Sequence, residues 1–286
     1  MLISILFGAD AEKKKPLLID RPLREQIHQA NVSVHRVEAK YYELLHPEVY
    51  SRKEQQRVRR QLEAINQQIK NNQKKALDVG AGTGNLTGKL LEMGYKVTAT
   101  DISPEMCGIL KKKYAKYIPE KLRVLNAPIE ELSFNKEEFD LIVSYSVLHH
   151  LPDYQSALTT LCGFLKKGGV IYIDHEASPY YWQVEANPVT GIIKDIYFHS
   201  NPIINSLFFG LTGLKVPTID YTLSDYWHKK EHAINHQKIA QVFKQKEFQS
   251  ADRQDYYETA TWIPNPLSIV YRLLCKPEMS CWIAKK

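Results

Sequence analysis

The sequence predicts an α/β protein built on an open, doubly wound and mostly parallel sheet, and three observations carry that class. Short apolar runs read as buried strands at Ala76–Val79, Val97–Thr100, Leu122–Leu125, Phe139–Val143 and Val170–Ile173, with helix-period segments between them. The first strand breaks into three alternating glycines, Gly80, Gly82 and Gly84, and a helix follows at once. The second strand ends on an acid, Asp101, at the carboxyl edge where ligands of open α/β sheets are held.

Glycines at a strand-to-helix turn let the backbone approach a ligand where a Cβ would collide, and the helix start offers unpaired N–H groups. The spacing here is G-x-G-x-G, and Asn85 stands where a dinucleotide fingerprint would continue toward its third glycine. There is no G-x-x-x-x-G-K-[ST] loop for nucleotide phosphates either. The ligand implied is an adenosine without a phosphate chain, its ribose hydroxyls presented to Asp101.

The run Asp78-Val79-Gly80-Ala81-Gly82-Thr83-Gly84 resembles the first motif of the class I S-adenosylmethionine-dependent methyltransferases, and specific motifs extend over about Lys75 to Glu176. The resemblance implies a Rossmann-like sheet of seven strands in the order 3-2-1-4-5-7-6, the last antiparallel, with S-adenosylmethionine as cofactor. It carries cofactor contacts onto Asp78, Gly80, Gly82, Thr83, Gly84, Asp101 and Ile102. Met106, in a D-x-S-x-x-M setting, falls beside the adenine. Where the family has an acid-alanine pair this chain has Asn126-Ala127, and Asn126 keeps a carbonyl acceptor for the adenine amino group. Ser144 leaves the fourth strand in a D-x-I-x-S segment followed by Leu148-His149-His150, a turn that matches the small-molecule members. An aromatic from helices ahead of the core often touches the methionine part of the cofactor, with Tyr41, Tyr42 and Tyr50 as candidates and Tyr42 the chosen one.

Four regions follow. Residues 1–72 form a helical lid: apolar spacing from Pro22 to His46 predicts one helix ended by Pro47. Ser51-x-x-Glu54 is a capping box for a second, with Val58, Leu62, Ile65 and Ile69 inward and a basic, solvated face holding Arg52, Lys53, Arg57, Arg59, Arg60 and Lys70. Residues 73–177 form the cofactor-binding core. In it Ser103 caps a helix, Asp153 caps another, and Gly168-Gly169 ends the latter. Residues 178–232, rich in Pro, Tyr and Trp, lack a β-α rhythm and read as an inserted cap for the acceptor, with an apolar patch from Ile203 to Leu214. Residues 233–286 complete the core with a helix over 233–246 and two strands separated by a proline-bearing loop (Pro264, Pro266, Pro277).

Composition narrows the function classes. A net charge of +6 over 286 residues is mild, and no N-P-P-Y-like segment follows the fourth strand, which argues against a nucleic-acid substrate. Cys107, Cys162, Cys275 and Cys281 show neither C-x-x-C pairing nor zinc-ligand spacing, so no metal is indicated and a reducing, cytoplasmic setting is expected. The apolar stretch Met1–Ala9 is too short to span a bilayer; it reads either as an element packed on the body or as a peripheral membrane or partner contact. The partner expected is a small, partly apolar acceptor, and the oligomeric state is left open. The chemistry expected is O-methylation by in-line displacement, with His150 or His175 as base and Glu176 or Asp174 orienting it. N-methylation, and a non-catalytic subunit on the same fold, are the alternatives.

Overall fold

A computed structural model describes residues 21–185, 188, 221–229, 233–258, 260 and 265–286. Seven strands form one sheet: β1 Lys75–Val79, β2 Lys96–Asp101, β3 Leu122–Asn126, β4 Phe139–Tyr145, β5 Leu165–Ala177, β6 Ser250–Tyr256 and β7 Met279–Lys285. Their spatial order is β3-β2-β1-β4-β5-β7-β6. The strands β3-β2-β1-β4-β5 pair in parallel, and β7 runs antiparallel to both β5 and β6. The order and the antiparallel last strand are those the family resemblance implies. Met1–Ala9, the Ile203–Leu214 patch and Pro264 lie outside the described residues.

Parallel strands covered on both faces read as nearly continuous apolar runs, and their side chains still alternate between two packing layers. Leu77, Val79, Ile142, Ile171 and Ile173 pack with Leu158 and Leu161 of helix α7 (Tyr154–Phe164) and with Ile239 and Phe243 of the helix His236–Gln245. Ala76, Leu141, Val143, Val170 and Tyr172 face the other way, onto Val58, Leu62 and Ile65 of α4 (Arg52–Gln68) and Leu86 and Leu90 of α5 (Asn85–Glu92). Ser103 caps α6 (Pro104–Lys113) by accepting the Met106 N–H, and Asp153 caps α7 through the Ser156 N–H.

The structure corrects the sequence reading at several points. The run from Pro22 to His46 is not one helix. α1 spans Arg21–Glu38, a 3₁₀ turn covers Ala39–Tyr41, and two single-turn helices follow, α2 (Tyr42–Leu45) and α3 (Pro47–Tyr50). Pro47 opens α3 instead of ending a run, because proline suits the first helical position. Gly168-Gly169 does not end α7. The helix stops at Phe164 and both glycines lie within β5, before its pairing with β4 becomes regular at Val170. The segment between β6 and β7 contains a helix, Asn265–Leu274, and the helix expected from Ala233 begins at His236, capped by Asn235.

Arg57 is the largest departure, because it does not sit on a solvated basic face. Its guanidinium pairs with Glu54 and with Asp174 of β5, both carboxylates fully buried, and lies 3.8 Å from the Tyr256 ring centroid. Ser51 accepts the Glu54 N–H, but the Glu54 carboxylate binds Arg57 and Tyr145 and so leaves the capping box half made. The Asp174 pair bolts α4 to the sheet. Arg57→Met leaves two buried carboxylates without their cation and is expected to cost about 3–5 kcal/mol in urea unfolding; a loss below about 1 kcal/mol would mean the pairs contribute little.

Candidate functional site

Two adjoining cavities open at the carboxyl ends of the parallel strands. The first is a cleft lined by Gly80 and Gly82, by Thr100, Asp101 and Ile102, by Met106 and Ala127, and by Tyr145, Ser146 and Val147. Helix α1 closes it with His28, Asn31 and His35. The second is walled by Glu38, His46, Glu48, His149, His175, Tyr181, Tyr221, Asp225, His228 and Glu258. His35, Tyr42, Ser146 and His150 line both, so the two cavities share a wall.

The glycine turn shapes the cleft. Gly80 holds φ +64°, and a Cβ there would stand 2.5 Å from Val147 Cγ2; Gly82, at φ +52°, would place one in open space. The first is glycine for packing at the β4 exit, the second for a backbone conformation that other residues adopt at a cost. Asp101 receives the Gly82 N–H on one carboxylate oxygen and the Ser103 N–H on the other, each at 2.8 Å. Burial raises its pKa, against His35 and those two N–H groups. A carboxylate has about four acceptor sites, so two remain for a ligand. Asn31 donates to the carbonyls of Ile27 and His150 while its Oδ1 is buried without a hydrogen-bond partner in the cleft wall.

The other residues singled out in the sequence divide by position. Met106 is fully buried in the cleft wall, with Ile102 and Ala127 beside it. Asp78 is buried under the turn, accepting from Thr87 of α5; burial lifts its pKa to about 7 against that hydrogen bond. Thr83 hydrogen-bonds Tyr50 and Glu43, and Gly84 packs on Tyr114, so both brace the turn from outside the cleft. Ser144 is buried near the end of β4 with an unpartnered Oγ. Asn126 spends its amide N–H₂ on the carbonyls of Asp101 and Ile102, which keeps its Oδ1 available, but the residue is exposed and does not line the cleft as Ala127 does.

Two residues with left-handed backbone aim the β4 and β5 exits. Ser146 has φ +58° and His175 φ +60°, uncommon values outside glycine. The β5–β7 register slips between Ile173 and Glu176, and such an irregularity re-aims a side chain. His175 thereby stacks on Tyr145 at 4.7 Å and hydrogen-bonds Glu258. Burial alone would lower its pKa, but Glu258 prevails and raises it to about 9. His46 behaves alike, taken to about 9 by Glu38 and Glu48 against burial. His150 is the opposite: burial, then neighbouring His149 and His35, push it well below the ordinary value. Its Nδ1 lies 2.8 Å from the Ser224 carbonyl and 3.3 Å from Asp225.

The orienting acids expected from the sequence have other tasks. Glu176 accepts from the N–H groups of Val147 and Leu148 and pairs with His149, so it touches neither His150 nor His175 through a hydrogen bond of its own. Asp174 belongs to the Arg57 cluster. The ring partners of the two histidines are Ser224 and Asp225 for one, and Glu258 with Ser146 for the other. The sequence carried no signal for these, since they come from segments distant in the chain. His28, Asn31 and His35 were legible only as one polar stripe of a helix.

Residues 77–173 match a family model described as a methyltransferase domain. A methyltransferase of Mycobacterium tuberculosis named as uncharacterized is 30% identical over 134 residues, 44% of this chain and 66% of that one. A ubiquinone biosynthesis O-methyltransferase of Coxiella burnetii is 32% identical over 111 residues, 39% of this chain and 47% of that one. The chain thus spans 66% of the one relative and about half of the other. Among solved structures, an S-adenosylmethionine-dependent methyltransferase from Archaeoglobus fulgidus shares the fold, with a TM-score of 0.52 and 20% identity, covering 86% of this chain and 100% of that one.

The raised histidines make stability depend on pH. A group whose folded pKa lies above its unfolded 6.5 stabilises fully below 6.5, and that contribution is lost as pH rises through about 9. Urea unfolding is therefore expected to show stability declining from about pH 6.5 to 9.5. His175→Gln should make that decline shallower; an unchanged slope would show that the Glu258 pair is not its source.

Proposed function

We infer the reaction from one premise: the chain belongs to the class I S-adenosylmethionine-dependent methyltransferases. The glycine turn, the two remaining acceptor sites on Asp101 and the apolar wall at Met106 suit an adenosine, so the cleft residues fit this cofactor. Gly80 and Gly82 would give it backbone access, Asp101 would take the ribose hydroxyls, Ile102, Met106 and Ala127 would flank the adenine, and Tyr42 would face the methionine part. Bound there, the cofactor supplies an activated sulfonium methyl, open to in-line displacement.

The second cavity is the acceptor site in this reading, and the observation that carries it is the shared wall of His35, Tyr42, Ser146 and His150. A group passed between the two ligands has to cross at that wall. Alignment there is the protein's main contribution, because an activated methyl asks little besides a nucleophile held in line. His150 serves as the base. Its Nδ1–H is committed to the Ser224 carbonyl, which leaves Nε2 with the lone pair, and its low pKa keeps the ring neutral near pH 7. The acceptor hydroxyl's proton passes to Nε2. His175, held as a cation by Glu258, is a hydrogen-bonding wall and not a base. The Coxiella relative's name, an O-methyltransferase, supports oxygen as the atom methylated. The acceptor is small and partly apolar, its polar part against the histidine and tyrosine wall.

Two measurements test this. Asp101→Ala should weaken S-adenosylmethionine binding by about 1–3 kcal/mol in isothermal titration, the loss of a hydrogen bond to a charged group; unaltered affinity would remove the ribose role. His150→Ala should lower turnover of a methylated phenol or alcohol by about 10²–10⁴-fold, with the wild-type rate flat from neutral pH down past pH 6.5. Turnover insensitive to the substitution would point to an amine acceptor, which needs no base.

A further inference from the structure

The acceptor cavity concentrates more metal-binding chemistry than proton removal needs. One ring nitrogen of His149, one of His150 and a carboxylate oxygen of Asp225 lie within 4.8 Å of one another. The sequence spacing gives no hint of this, because Asp225 arrives from a distant segment while the two histidines are neighbours on the 3₁₀ turn after β4. His149 and His150 have ring centroids 4.0 Å apart, and the His228 ring stacks on His149 at 4.2 Å.

We propose that His149, His150 and Asp225 form a site for a divalent first-row transition ion of the zinc type, facing the acceptor. Three features of the geometry support it. Two imidazoles and one carboxylate are the ligand set of open catalytic sites, which keep a further position for an exogenous oxygen. Each imidazole has its Nδ1 committed to a fixed acceptor, His149 to the fully buried Glu176 carboxylate and His150 to the Ser224 carbonyl. That arrangement leaves Nε2 for an ion, as a ligating histidine typically has such a partner on its other nitrogen; Asp225, which now meets His150 at Nδ1, 3.3 Å away, would turn its carboxylate toward Nε2 to join it. Finally, the ligand set is graded in exposure: the His149 side chain is 6% exposed, those of His150 and Asp225 20% and 23%. The buried histidine anchors, and the two half-buried ligands open to the cavity.

Tetrahedral zinc with bonds of about 2.0–2.1 Å places its ligands about 3.3 Å apart. Separations up to 4.8 Å therefore close chiefly by rotation of the Asp225 carboxylate, the His150 ring being held by its Ser224 bond. An acceptor oxygen on the ion would lose its proton more easily. The proposal rests on the second cavity being the acceptor site, and it makes His150 a ligand instead of a base whenever the ion is bound.

The test reads the ion directly. The chelator-treated full chain is titrated with Zn²⁺ by calorimetry and with Co²⁺ by visible absorption, with S-adenosylmethionine titrated in parallel. One equivalent of each ion per chain is expected, with Co²⁺ giving the absorption of a site bound by nitrogen and oxygen. Asp225→Asn and His149→Gln should each weaken binding at least about ten-fold, a factor worth about 1.4 kcal/mol, while His46→Gln, in the same cavity wall, leaves it unchanged. Each variant is checked for folding by its retained S-adenosylmethionine affinity. Absence of saturable binding, or binding indifferent to Asp225→Asn and His149→Gln, overturns the site. Because the cofactor titration is separate, a chain that binds S-adenosylmethionine and no metal rejects this proposal alone. A chain that binds neither rejects both readings.

Discussion

The site depends on one buried carboxylate. Glu176, fully enclosed at the end of β5, accepts the N–H groups of Val147 and Leu148 and holds His149. An uncompensated carboxylate in that position would be costly, and these three donors make it tolerable. In return, the turn that leaves β4 has little freedom. The Ser146 N–H adds a bond to the Asp174 carbonyl, so the β4 and β5 exits are tied to each other as well as to the sheet. Everything on that turn inherits its position from there: Val147 against Gly80 in the cleft, His150 at the wall between cavities, His149 behind it.

From this tie the electrostatics of the second cavity follow. Three histidines within one cavity wall divide between two charge states because their neighbours differ. His175 meets Glu258 and His46 meets Glu38 and Glu48, so both are driven to hold a proton despite burial. His150 meets a carbonyl and two other histidines and is driven to lose one. Desolvation acts in the same direction on all three, and the partner decides the net sign. The pairs also assemble the cavity, since Glu38 comes from α1, takes a hydrogen bond from Tyr221 and lies beside His46. The leading helices and the segment over 221–229 are thereby drawn onto the same pocket.

The far side of the sheet answers a different constraint. Arg57 lies against the sheet beneath the exits, where Asp174 and Glu54 are both buried, and its stacking on Tyr256 brings β6 into the cluster. The cluster holds one carboxylate more than its single cation balances, and hydrogen bonds donated by Tyr145, Tyr172 and Tyr256 stabilise the excess negative charge. Tyr145 joins the two sides: its hydroxyl reaches Glu54 and its ring stacks under His175.

Local signals were enough for much of this molecule. Strand runs, the glycine turn, the caps at Ser51, Ser103 and Asp153, and the acid at the tip of β2 all act over a few residues, where backbone geometry and apolar period decide the outcome. Asp101 could be placed in a ligand cleft from the sequence for that reason, and Met106 through the family resemblance of its D-x-S-x-x-M setting. What tertiary structure alone decided are meetings between distant segments. Arg57 turned inward because Asp174 of β5 awaited it beside Glu54 of its own helix, and no periodicity in α4 distinguishes it from Arg59 or Arg60. The roles of Glu176, Asp174 and Glu258 depended likewise on which exit each one faces. A left-handed residue and a register slip at β5 set the aim of His175, and residue type carries no trace of either. One-residue shifts in a strand exchange its faces, so side-chain partners at the strand ends belong to the assembled sheet and not to the segment that supplies them.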